Sequence, residues 1–131
     1  MYLLDTNILI YAYRDLGQCR KKLNAQNDAN VHICSINIAE IEYGIAKSSR
    51  PEGLQQFLQL IQTRYLLQPM NVEAAQCAGQ VRAKLERIGQ PIGSYDLLIA
   101  GIALAHNLTV VTRNTREFER VTGLQVENWY D

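Results

Sequence analysis

Met1-Tyr2-Leu3-Leu4-Asp5-Thr6-Asn7-Ile8-Leu9-Ile10 opens the chain with a short apolar run, one carboxylate, two helix-capping side chains and a second apolar run. That order reads as a strand ending at Leu4 and a helix starting after Thr6-Asn7, with Asp5 at the junction. Four further stretches read as strands: Val31 to Ser35, Tyr65 to Gln68, Thr109 to Thr112 and a weak one near Leu124 to Glu127. Helical segments fill the intervals. The clearest runs from Asn71 to Gly89, with an Asn cap, apolar residues at Val72, Ala75, Ala78, Val81, Leu85 and Ile88, and a closing glycine. The resulting order, β-α-α-β-α-α-β-α-α-β-α-β, predicts an α/β fold in which a mainly parallel sheet of about five strands lies between layers of helices.

The 131 residues suit one domain. The longest apolar stretch, Leu97 to Ala105, is interrupted by Gly101 and bounded by Asp96 and His106, too short for a bilayer, so no membrane contact is expected. Asp5 interrupts the opening apolar run at once, which argues against a signal peptide. Cys19, Cys34 and Cys77 are odd in number and widely spaced, which suits neither a disulfide framework nor a zinc site and fits a reducing cytoplasm. Thirteen basic and thirteen acidic residues cancel, so any attraction to nucleic acid must be local. Local candidates are Arg20-Lys21-Lys22, Lys47 with Arg50, Arg82 with Lys84 and Arg87, and Arg113 with Arg116 and Arg120.

Asp5, Glu40, Asp96 and Glu117 each fall at or just beyond a predicted strand end or helix start, a layout that suggests one acidic cleft. In open α/β sheets the carboxyl ends of strands carry the sites. Asp96 follows Gly93-Ser94-Tyr95 and opens the run Leu97-Leu98-Ile99-Ala100, so it belongs to the first turn of a helix capped by Ser94. The helix dipole alone favours an acid there, and either aspartate read singly is a cap or first-turn charge. Carboxylates gathered together repel, and a hard divalent cation relieves that repulsion directly. An oxygen-only set favours Mg²⁺ or Mn²⁺, ions that acidify a coordinated water and neutralise a leaving oxygen, as phosphodiester hydrolysis requires. His32, inside a strand, and His106, at a helix end, read as structural.

Four blocks in this order carry a resemblance: Leu4-Asp5-Thr6-Asn7, Ile38-Ala39-Glu40-Ile41-Glu42-Tyr43-Gly44, Pro91 to Ala100, and Val111 to Phe118. Together they resemble PIN-domain ribonucleases and, more narrowly, the VapC toxins of VapBC toxin-antitoxin systems, over essentially the whole chain. The resemblance implies a three-layer α/β/α PIN-like nuclease domain over residues 1–131. It implies Mg²⁺-dependent endoribonuclease activity, with metal-activated water attacking a phosphodiester of a structured RNA, tRNA foremost. A small VapB-type antitoxin is the implied inhibitor, and a homodimer is expected. By the same resemblance Asp5 and Asp96 match the metal-binding aspartates, and Glu40 matches the glutamate of the E-x-x-Y-G block. Glu42 is a rival, but at about 100° per residue the two glutamates point roughly 200° apart on a helix. Many members carry Asp near the position of Asn114, which leaves Glu117 as the fourth acid here. Asn7, Ser94, Thr112 and Asn114 are expected to orient carboxylates or water, although Asn7 and Ser94 read equally as caps and Thr112 as a strand end. Tyr11, Tyr13 and Tyr43 are candidates for base stacking or an antitoxin groove, with core packing expected for at least one.

Two other Mg²⁺ folds fit poorly. A haloacid-dehalogenase-like phosphatase needs a second Asp where Asn7 stands, and a receiver domain needs a further acidic pair and a Lys where Arg113 stands. The readings left beside a toxin are an RNA-processing PIN nuclease and a catalytically inactive PIN-fold binding module.

Overall fold

The computed structural model describes residues 1–131. Strands β1 (Tyr2–Leu4), β2 (Val31–Cys34), β3 (Leu66–Gln68), β4 (Thr109–Val111) and β5 (Val126–Glu127) form one sheet in the order β3-β2-β1-β4-β5. Every pairing is parallel, as the alternation of elements required. Helices α1 (Thr6–Arg14), α2 (Cys19–Asn24), α3 (Ser35–Lys47), α4 (Glu52–Arg64), α5 (Val72–Arg87), α6 (Ser94–His106) and α7 (Thr115–Phe118) connect the strands.

Strand alternation divides the core into two layers. Leu3 and Val110 face a cluster with α5, α6 and Phe118, while the next residues, Leu4 and Val111, face a second cluster with α1, α2, α4 and Trp129. The chain steps outward from β1 to β2 and β3, then returns to the other side of β1 for β4 and β5. The crevice at such a reversal, outside the carboxyl ends of the strands, is where an open sheet leaves room for a ligand. Pairing of Leu4 with Val111 brings Asp5 and Thr112 together at that reversal, and Asp5 N–H donates to Val111 O at 2.9 Å.

Several expected boundaries shift, each for a local reason. Ser35 starts α3 instead of ending β2, Tyr65 closes α4 with its ring buried, and Thr112 lies one residue beyond β4. Leu124 and Gln125 precede β5 rather than joining it. The cap of α1 is Asp5 itself, not Thr6 or Asn7: its carboxylate accepts the Asn7 N–H. The cap of α6 is Gly93, which has no side chain to offer, so Ser94 is the first helical residue and caps nothing. On α5 the inward stripe is Ala74, Ala78, Val81 and Leu85, spaced by one helical turn, which turns Val72 outward and leaves Ile88 exposed beyond the last turn. α6 is buried along most of its length and ends at Asn107, whose φ of 53° is the left-handed conformation that asparagine tolerates. Its Gly101 permits the close approach of α5, since a Cβ there would stand 2.6 Å from Ala74 O.

Candidate active site

Asp5 is 5% exposed at the end of β1, with both carboxylate oxygens engaged. Oδ1 accepts the Asn7 N–H at 3.1 Å, and Oδ2 accepts the Thr112 hydroxyl at 2.7 Å. Burial lifts its pKa above the ordinary carboxylate range, against the pull of those hydrogen bonds. Glu40, half-buried on α3, accepts the Thr6 hydroxyl on Oε1 at 2.7 Å. Its pKa is also raised, by burial first and by the Asp5 charge second.

Asp96, half-buried in the first turn of α6, is where the charges converge. Its pKa is pushed up to about 7 by burial, then by the Asp5 charge, by a hydrogen bond and charge from Glu117, and by the Glu40 charge. Glu117, on α7, is steadied by Asn114, whose Nδ2 donates to Oε2 at 2.8 Å. The Asn114 N–H in turn donates to Thr112 Oγ1 at 2.9 Å. One connected set therefore runs from Asp5 through Thr112 and Asn114 to Glu117.

The structure thus brings together all four carboxylates singled out in the sequence. They are spread out, and no three His, Cys, Asp or Glu side chains lie close enough to cage an ion as they stand. The donor set nevertheless suits a hard divalent cation: it is all oxygen, partly buried, and includes in Glu40 and Asp96 acids whose ionisation is opposed by burial and by neighbouring charges. Of the expected supporting residues, Thr112 donates to Asp5 and Asn114 to Glu117. Asn7 does so only through its main-chain N–H, its side chain being exposed, and Ser94 is exposed with no hydrogen bond to any of the four.

Two residues of the site escaped the sequence reading. Thr6 reads as a cap in the sequence but holds Glu40, and Asn37, fully buried on α3, holds Thr6. Asn37 Nδ2 donates to Thr6 Oγ1 at 2.9 Å and to Leu4 O at 3.1 Å, while its Oδ1 accepts the Cys34 N–H at 2.8 Å. The signal available was an amide placed between Ile36 and Ile38, where a core-facing helix has no use for one.

Beside Glu40 opens a cleft of about 560 Å³ whose walls include Thr6, Asn7, Arg14, Glu40, Lys47 and Leu54. Tyr43, 66% exposed, stands near it with Lys47 over its ring at 5.3 Å. Tyr13 packs against Phe57, and Tyr11 meets Tyr130 edge-on with ring centres 4.9 Å apart. His32 is structural, its ring bridging Gln68 and Met1, and Cys34, its thiol pushed up to about 11 chiefly by burial, is no nucleophile.

The family described as PIN domain matches residues 2–124. The chain belongs to the PIN-domain family. Its relatives place this PIN domain among the VapC ribonucleases. It is 39% identical over 129 residues to the tRNA(fMet)-specific endonuclease VapC of Shigella flexneri, covering 98% of this chain and 97% of that one. It is likewise 39% identical to ribonuclease VapC2 of Rickettsia felis, with 98% of each covered. The crystal structure of DNA-bound VapBC from Salmonella typhimurium superposes with a TM-score of 0.89 at 38% identity, covering 98% of this chain and 97% of that chain. That of VapBC2 from Rickettsia felis, bound to a promoter DNA fragment, superposes with a TM-score of 0.88 at 37% identity, with 98% of each covered. The chain is thus a nuclease of the toxin class, and the expected three-layer fold with a parallel sheet is the one it has. No helix of this PIN domain is long and apolar enough to cross a membrane.

Proposed function

We propose that this VapC-type nuclease is a Mg²⁺-dependent endoribonuclease that cleaves a tRNA. The observation that carries the reading is the convergence of Asp5, Glu40 and Glu117, each from a different part of the fold, on Asp96 at the sheet's reversal point. The name of the Shigella flexneri relative supports tRNA as the substrate class. Asp5 and Asp96 would hold Mg²⁺, or Mn²⁺ in its place. The ion would supply neutralisation of the cluster, acidification of water and stabilisation of charge at phosphorus. The protein's own contribution is positional. Thr112 and the Asn7 N–H fix both oxygens of Asp5, Thr6 turns Glu40 toward the cleft, and Asn114 holds Glu117 against Asp96. Burial of Asp5 limits its screening by water, so its charge acts more strongly than it would at the surface.

The same proposal includes a VapB-type antitoxin seated in the cleft between α1, α3 and α4, presenting a cation to Glu40 and packing on Tyr43. VapBC complexes among the solved relatives support that partner. A homodimer working in the cytoplasm, where Cys19, Cys34 and Cys77 stay reduced, completes it.

The test is incubation of the purified protein with total cellular RNA and Mg²⁺, followed by mapping of new ends. Cleavage of a tRNA at one position, leaving a 5′-phosphate and a 3′-hydroxyl, is expected. A 2′,3′-cyclic phosphate would mean that the ribose hydroxyl attacks, against the proposed hydrolysis. Co-expression from the native locus and pull-down tests the antitoxin, and the lack of any stoichiometric small partner would favour the RNA-processing reading.

A further inference from the structure

Five of the eleven basic residues singled out in the sequence are committed to acceptors within the protein. Arg20 donates to Ala12 O and Tyr13 O, Lys22 to Asp131 O, Lys84 to Thr122, Arg82 to Glu86 and Arg120 to Pro91 O. Arg113 differs. It is exposed, belongs to no ion pair, and sits over an aromatic shelf, its guanidinium carbon 3.6 Å from the centre of the Tyr130 ring and 5.6 Å from that of Tyr11.

The shelf is rigid. Tyr130 O accepts the Gln18 N–H at 2.8 Å, and the Tyr130 N–H donates to Asn128 Oδ1 at 2.7 Å. Gly17, at a φ of 59°, lies so close beneath the ring that a Cβ would meet it at 2.8 Å. The shelf also stands beside the acidic centre. Arg113 is flanked by Thr112, which holds Asp5, and Asn114, which holds Glu117. Tyr11 lies one turn along α1 from Asn7, a rise of about 6 Å, and the Asn7 N–H holds the other Asp5 oxygen.

An arginine stacked on a ring and steadied by the Tyr11 side chain loses little rotamer freedom on binding, and the remaining donors of its planar fork suit charge-assisted capture of a phosphate. We propose that Arg113, seated on Tyr130 and Tyr11, is a substrate-positioning residue that binds a backbone phosphate of the RNA next to the one being cleaved. The inference rests on the ribonuclease reading above. It also answers an electrostatic need, since a neutral protein with an acidic centre must supply local positive charge to bring a polyanion to it.

The test is steady-state cleavage of total cellular tRNA by the wild type, Arg113→Ala and Arg113→Lys over a series of salt concentrations. For Arg113→Ala, KM should rise about ten-fold with kcat little changed, as expected when a charge-assisted contact of about 1.4 kcal/mol made equally before and during reaction is lost. The dependence of log(kcat/KM) on log[salt] should flatten by about one unit. Arg113→Lys, which keeps the charge but not the fork, should keep the steep salt dependence with an intermediate KM. A merely structural arginine would leave KM and the salt slope of both variants at wild-type values, and that result overturns the inference while leaving the ribonuclease reading intact. A loss confined to kcat overturns it as well. A wild type that cleaves no tRNA overturns both.

Discussion

The Thr112 hydroxyl donates to Asp5 Oδ2 at 2.7 Å, joining residues 107 apart in sequence at the carboxyl ends of the adjacent strands β1 and β4. Thr112 is fully buried and also accepts the Asn114 N–H, so one hydroxyl positions acids from both ends of the chain.

Thr112→Val keeps the shape and removes both hydrogen bonds. Leaving buried partners unsatisfied should cost about 1–3 kcal/mol of stability. Removing the group that orients a metal-binding carboxylate should lower Mn²⁺ affinity by about 10- to 100-fold. Calorimetric titration with Mn²⁺ checks this, and unchanged affinity would detach Asp5 from metal binding.

Glu40 and Glu42 offer a sharper contrast. Glu40 is bonded to Thr6 and feels the Asp5 charge, whereas Glu42 is exposed. Glu40→Gln should therefore be nearly inactive, while Glu42→Gln should cleave tRNA at close to the wild-type rate and change stability by no more than about 0.5 kcal/mol. The reverse pattern in a cleavage assay would assign the wrong glutamate to the site.

The raised pKa of Asp96 sets a pH signature for the metal-free protein. The folded state holds a proton there up to about pH 7, whereas the unfolded chain releases it near the ordinary aspartate value of 3.8. Between these values the native state binds more protons, so this group's contribution to stability is complete below about pH 4 and is lost as pH rises through about 7. Asp5 and Glu40 are raised as well and act in the same direction. In EDTA, Tm should fall between pH 4 and pH 7.5 relative to Asp96→Asn, which has no proton to lose there. Parallel Tm profiles would show that Asp96 is not electrostatically strained.

Gly101 tests the packing that carries Asp96. A Cβ at this position would stand 2.6 Å from Ala74 O and 2.7 Å from Ala78 Cβ, so Gly101→Ala must push α5 and α6 apart. Overpacking of this kind should cost about 1–3 kcal/mol, read by urea denaturation. A stabilised variant would contradict the close approach.

The layers and the strand number were legible because each leaves a local mark, whereas Glu40, expected at an element end, lies in the middle of α3. Short apolar runs alternate with helical periods, and Asp5 and Asp96 stand where a strand hands over to a helix or a helix begins. What was not legible depends on neighbours distant in sequence. Thr6 looks like a cap until Glu40 is seen above it, and Asn37 looks misplaced until Leu4, Thr6 and Cys34 surround it. Ser94 erred in the opposite direction: its place before an apolar helix suggested a cap, but Gly93 takes that place and leaves Ser94 in solvent. The α5 stripe slipped because Val72 and Ile88 are apolar yet lie off the inward face or beyond the helix end, where periodicity within the segment cannot discriminate.

The central claim, that the four carboxylates form a divalent-metal centre for RNA hydrolysis, is tested most directly by tRNA cleavage with wild type and Asp96→Asn, each in Mg²⁺ and in excess EDTA. Wild-type cleavage in Mg²⁺ only, with a folded Asp96→Asn inactive in both, is the predicted result. Wild-type cleavage undiminished in EDTA, or full activity of Asp96→Asn in Mg²⁺, would contradict it.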